Sequence, residues 1–133
     1  MLISDIVKTR KDEGKEEHFP VITIDKGHKA QHDIVRVVVG HESPHPNIVE
    51  HHIVWIELFG VKINDNRVVD LGRAACAPVF SNPNVRFQVN GIDEFRGFYA
   101  LAYCNVHGLW GNFVERYSGA LPTKTETATA TPR

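Results

Sequence analysis

Phe98-Tyr99-Ala100-Leu101-Ala102-Tyr103-Cys104-Asn105-Val106-His107-Gly108-Leu109-Trp110 decides how this chain is read. Residues 98–103 are apolar or aromatic and too few for a globular helix, so they read as a strand. A turn follows, and in it a thiol and an imidazole stand three residues apart, just before a glycine that can take backbone angles other residues resist. Outward from this stretch the same texture repeats. Residues 21–24, 34–39, 53–59, 67–71, 85–89 and 112–117 are short runs rich in β-branched or aromatic side chains. Turn formers separate them: Asp25-Lys26-Gly27, residues 40–47, Asn64-Asp65-Asn66, Ser81-Asn82-Pro83-Asn84 and Asn90-Gly91. About seven short strands at this spacing predict an all-β chain, an antiparallel sandwich or a small barrel. Residues 3–9 have room for one short helix, and residues 10–17 are dense in charge and read as a loop. From residue 121 the sequence is of low complexity and lacks apolar anchors, which predicts a mobile tail at 121–133 after one domain at 1–120.

Composition narrows the function. The chain has 133 residues and a formal net charge of −1, without the basic surplus of a nucleic-acid binder. No apolar run approaches the ~20 residues of a membrane span, and the opening residues lack the basic start and apolar core of a secretory signal. A cytoplasmic location is the expectation, in which the two cysteines are free thiols or metal ligands.

Eight histidines and two cysteines then become the informative residues. Cys104 and His107 can reach one metal from the same turn. Backbone N–H groups of that turn can point at the sulfur and tune its donor strength. Upstream, Pro44-His45-Pro46-Asn47 holds an imidazole between two prolines that stiffen its loop. In Glu50-His51-His52, neighbours on an extended segment face opposite ways, so one of the pair can face a metal and the other cannot. His18 lies beyond, in Glu16-Glu17-His18-Phe19-Pro20. Each piece alone also fits an ordinary loop histidine or a half-buried thiol. Together, one soft and several borderline donors on separate segments suit a mononuclear transition metal. Cys76 reads as a buried small apolar residue, and His28, His32 and His41 as loop histidines. Trp55 and Trp110 read as packing residues, with Trp110 placed to shield the thiolate.

These residues resemble the superoxide reductases, the neelaredoxin and desulfoferrodoxin iron-site proteins. The likeness runs in order from about Glu16 to Trp110 and is carried by His18 with Pro20, Pro44-His45-Pro46-Asn47, Glu50-His51-His52-Ile53 with Trp55-Ile56, and the stretch from Tyr103 to Trp110. Residues 61–96 match only loosely. The resemblance implies an immunoglobulin-like antiparallel β-sandwich holding one iron, with His18, His45, His51 and His107 as equatorial ligands and Cys104 as the axial thiolate. It makes His52 a non-ligand and gives Glu16 the sixth position in the oxidised state. It implies one-electron reduction of superoxide to hydrogen peroxide, an external electron donor such as rubredoxin, and a homotetramer of the one-iron class.

The family's usual run is Glu-Lys-His, where this chain has Glu16-Glu17-His18. The lysine thought to attract superoxide and assist protonation is absent, and Lys15 is the cation nearest in sequence. An acid at position 17 matters for substrate attraction if it faces the opening of the site. Other readings remain open on the residues alone. A blue-copper electron carrier also uses cysteine, histidines and a sandwich, but its weak axial methionine has no candidate here except Met1. A structural zinc site closes at four ligands. An immunoglobulin-like interaction module would leave the histidines incidental.

Overall fold

A computed structural model describes residues 1–14, 17–25 and 32–116. Seven strands carry the chain: β1 (Val21–Asp25), β2 (His32–Val38), β3 (Ile53–Lys62), β4 (Val68–Ala75), β5 (Asn84–Asn90), β6 (Phe95–Cys104) and β7 (Gly108–Glu115). They form two antiparallel sheets, in the orders β1-β2-β5 and β4-β3-β6-β7. This is the immunoglobulin-like sandwich expected, with the fourth strand in the four-stranded sheet. Among the described residues the only helical pieces are single 3-10 turns at Ile3–Asp5, Arg10–Asp12 and Ile92–Glu94.

The core follows from strand parity. On β6, Phe98, Ala100, Ala102 and Cys104 point inward and are fully buried, and Ile56 and Leu58 of β3 meet them. Val35 and Val37 of β2 and Val89 of β5 close the core from the facing sheet. Apolar alternation on both inner faces is what lets two sheets shed water against one another.

Several expectations need correcting. The helix expected over residues 3–9 is one 3-10 turn, after which Lys8 pairs with Trp110 in parallel; Lys8 N donates to Leu109 O at 2.9 Å and Gly111 N to Lys8 O at 2.9 Å. That pairing satisfies the outer edge of β7, which explains why the segment is extended. His32 opens β2 instead of lying in a loop. Cys76 is half-buried, since it lies just past the end of β4 with its N–H donated to Val54 O at 2.9 Å. Burial still pushes its thiol pKa up from the ordinary value. Trp55 is half-buried on the outer face of β3, between Arg73, 4.1 Å from its ring, and Tyr103, 5.8 Å between ring centres. Lys15, Glu16, His28, the end of the strand read at residues 112–117 and the tail at 121–133 lie outside the described residues.

Candidate metal centre

Strand pairing gathers the candidate residues at one end of the sandwich. Parity on β6 turns Cys104 inward at the last residue of the strand, with no exposure. Ile53 is its cross-strand partner. The segment before β3 therefore arrives beside the thiol and brings His51, which closes a turn through Ile48 N to His51 O at 3.0 Å and His51 N to Ile48 O at 3.1 Å. His107 sits in the turn between β6 and β7, where Cys104 pairs with Gly108 and Gly108 takes a φ of 88°. His18 precedes β1, and Asn112 Nδ2 ties that lead-in to β7 by donating to Pro20 O at 2.9 Å. His45 comes from the loop after β2. That loop doubles back so closely that a Cβ on Gly40 would lie 2.6 Å from His45 N.

The four imidazoles form a square. His18 and His45, His45 and His51, His51 and His107, and His107 and His18 have ring centres 4.7, 4.8, 5.0 and 4.7 Å apart, with rings steeply inclined at 63–80°. Across the diagonal, His18 and His51 stand 6.4 Å apart and nearly parallel, at 27°. A tetrahedral set would have no long, parallel diagonal, so a closed structural zinc site does not describe this arrangement. Cys104 Sγ lies 3.5 Å from His45 Nε2 and 3.9 Å from His107 Nδ1. Ligand atoms of His18, His45, His51 and Cys104 all fall within 4.8 Å of one another. His107 Nδ1 joins them at 3.0 Å from His18 Nε2.

These spacings fit one bound ion. Two nitrogens each ~2.1 Å from a metal and at right angles about it are ~3 Å apart, and a sulfur at ~2.3 Å widens that edge to ~3.1 Å. The His18–His107 nitrogen pair has that separation, and the two sulfur edges, at 3.5 and 3.9 Å, are somewhat wider. One thiol and four imidazoles form a mixed soft and borderline set that iron accepts. The copper alternative lacks its axial methionine, because Met1 is fully exposed.

Neighbouring groups orient the rings. His45 Nδ1 lies 2.7 Å from Pro46 O; a carbonyl can only accept, so that nitrogen carries the proton and a neutral ring presents a lone pair at Nε2. The His107 N–H donates to Cys104 Sγ at 3.3 Å, the contact anticipated for this turn. Trp110 is buried and stacks on the His18 ring at 4.6 Å and 14°. His52 is directed away, with its N–H donated to Asn105 Oδ1 at 2.8 Å and its Nδ1 3.1 Å from Val49 O.

Two acids were not singled out for what they do. Glu13 Oε1 accepts from His18 N at 2.7 Å and Phe19 N at 2.6 Å, while its buried Oε2 stands 3.7 Å from His18 Nδ1. Glu17, considered only as a replacement for lysine, accepts from the N–H groups of Glu42 and Ser43 at 3.2 and 2.6 Å. Asn105 was also missed. It donates through Nδ2 to Glu50 O at 3.0 Å, linking the Cys104 turn to the His51 segment. An acid five residues before a histidine is the only hint the sequence offers of Glu13.

Sandwich and donor square together define a mononuclear non-haem metalloprotein with one thiolate and four imidazoles. The chain belongs to the desulfoferrodoxin family, whose model matches residues 10–113. It is 34% identical over 125 residues to the superoxide reductase of Pyrococcus furiosus, covering 85% of this chain and 98% of that protein. It is 33% identical over 123 residues to neelaredoxin of Megalodesulfovibrio gigas, covering 83% of this chain and 93% of that one. A solved superoxide reductase in the oxidised state superposes with a TM-score of 0.75 at 35% identity, over 86% of this chain and 98% of the other.

Proposed function

We propose that this chain is a superoxide reductase of the one-iron class, an oxidoreductase that gives superoxide one electron and two protons and releases hydrogen peroxide. The observation that carries this reading is the square of four imidazoles with a buried thiol beside it. His18, His45, His51, His107 and Cys104 would hold the iron, in one domain spanning residues 1–120. Bound iron supplies the electron and a coordination position for a small anion.

The chain's own groups set the conditions for that step. Cys104 must be a thiolate to ligate and the imidazoles neutral, so protons compete with the metal and acid weakens binding. As a thiolate ligand Cys104 would donate electron density to a bound metal, and the His107 backbone N–H on its sulfur would moderate that donation. Complete burial keeps water from the sulfur. By family resemblance Glu16 would add a carboxylate ligand in the oxidised protein, and Lys15, the cation nearest in sequence, would add positive charge that attracts the anion. Rubredoxin or a similar protein returns the electron. The free state of Cys76 and Cys104 suits a reducing compartment, in keeping with the cytoplasm; among the described residues no helix is long and apolar enough to cross a membrane. The chain assembles as a homotetramer through the outer face of its four-stranded sheet, where Phe59, Tyr99, Leu101 and Phe113 line an apolar groove of about 910 Å³ with the N-terminal segment.

Pulse radiolysis of the reduced, iron-loaded chain in formate solution containing dioxygen, whose one-electron reduction generates the superoxide, tests the reaction. One peroxide should form for each superoxide consumed, in step with iron oxidation. Peroxide at half that yield, with dioxygen, would mean dismutation and would defeat the proposal.

A further inference from the structure

His18 and His45 enter the site from either side of a ladder that ends too early to hold them. β1 and β2 pair outward to Val21 and Val38. Beyond that, Pro20 has no N–H to donate, and Gly40 turns the chain with a φ of 82°. Carrying the register outward by four residues on each strand sets Glu17 beside Glu42. At this point the carboxylate of Glu17 replaces the missing ladder. Its Oε1 accepts from Glu42 N at 3.2 Å and its Oε2 from Ser43 N at 2.6 Å. Both oxygens are engaged by consecutive backbone donors, and bonds to an ionised acceptor are the stronger kind.

The same loop is anchored at its other end. Asn47 Oδ1 accepts from Val79 N at 2.9 Å, and Asn47 Nδ2 donates to Ser81 O at 3.1 Å. His45 therefore hangs between two fixed points, Ser43 two residues before it and Asn47 two residues after. We propose that Glu17 is a positioning residue for the His45 ligand: its carboxylate holds residues 42 and 43 against the segment that carries His18 and so sets one edge of the imidazole square. The inference rests on the metal-site reading. It gives the acid at this position a structural task in the site, where the resemblance alone leaves only a missing cation. A lysine there has no acceptor and would place positive charge against two N–H dipoles.

The test uses the full chain loaded with iron, comparing Glu17→Lys, Glu17→Ala and Glu17→Gln. Iron retention against a competing chelator is read beside the thiolate-to-ferric visible band and the second-order rate with superoxide per bound iron. Losing a group that orients a ligand typically weakens metal binding by about 10- to 100-fold. Glu17→Ala and Glu17→Lys should fall in that range and shift or broaden the band. Glu17→Gln keeps one acceptor oxygen and should recover most of both. Glu17→Lys should give no gain in rate per iron. Equal iron retention in wild type, Gln and Ala, with an unchanged band, overturns the proposal even if the Lys variant does not fold. A faster, fully loaded Glu17→Lys protein also overturns it. If the unaltered chain holds iron yet fails to consume superoxide, the functional reading fails, and the retention order still decides the role of Glu17.

Discussion

At the scale of single residues the site depends on one sulfur. Cys104→Ser should bind iron more weakly and lose the thiolate-to-ferric band, which visible spectroscopy and metal analysis would show; an unchanged band would remove Cys104 from the ligand set. The histidine pair gives a sharper contrast. His51→Ala removes a corner of the imidazole square and should strip or disturb the iron, while His52→Ala loses the ring contact to Val49 O, retains the backbone N–H bond to Asn105 Oδ1, and should keep it. Comparable loss in both would mean the assignment is wrong. Cys76 offers a check by pH. Burial raises its thiol pKa, so the neutral form persists above the ordinary thiol range and the thiolate that reacts is scarce near neutrality. Its alkylation in the folded protein should be slower than that of a model thiol at pH 8 and should level off at a higher pH, as mass spectrometry would record. The sequence made the donors visible because cysteine and histidine are few and their spacing constrains geometry. It hid Glu13 and Glu17, because a carboxylate in a charge-dense run looks the same whether it meets water or a backbone N–H. The register that sets Glu17 beside Glu42 exists only after the sheet has formed.

At the scale of elements, strand existence was legible and strand length was not. Apolar alternation marked residues 53–59, yet β3 continues to Lys62 because Gly60 and Val61 still pair with Phe98 and Gly97. β4 runs on to Ala75, past Gly72 at a φ of 135°, by a register shift between Leu58 and Phe59; such a bulge lets a ladder continue through an irregular residue. Polar strand ends belong to a strand only because a neighbour offers hydrogen bonds, which no local pattern records. The two turn glycines near the site make this testable. Gly40 and Gly108 both take positive φ, but a Cβ at 40 would meet His45 N at 2.6 Å, whereas at 108 nothing lies within 4 Å. Gly108→Ala should cost about 1–2 kcal/mol of backbone strain, lower the melting temperature by several degrees and retain iron. Gly40→Ala adds a backbone clash and should displace His45, so that iron is lost as well. Equal iron content in the two variants would show that the close approach at Gly40 does not set the ligand.

At the scale of the whole molecule, one face remains to be explained. An antiparallel sheet that covers a core on one side is normally polar on the other. Here the outer face of β3, β6 and β7 carries Phe59, Val61, Tyr99, Leu101 and Phe113, and the nearby Ile3 and Ile6 are 70% and 55% exposed. Apolar patches of this kind mark surfaces that associate. Burial also raises the Tyr99 phenol pKa, so the ring stays neutral beyond its ordinary range and presents no charge to a partner at neutral pH. The donor square lies at the end of the sandwich and its thiol faces the core, so covering this outer face need not cover the metal. The unaltered chain should sediment as a tetramer, and Leu101→Lys with Phe113→Lys should shift it to smaller species. Parity sends both side chains away from Cys104, so iron content and the visible band should stay as in the unaltered chain. Analytical ultracentrifugation with absorbance read in the visible band follows mass and metal together. A monomeric unaltered chain would remove the assembly. Dissociation accompanied by iron loss would show that contacts between subunits help to hold the site.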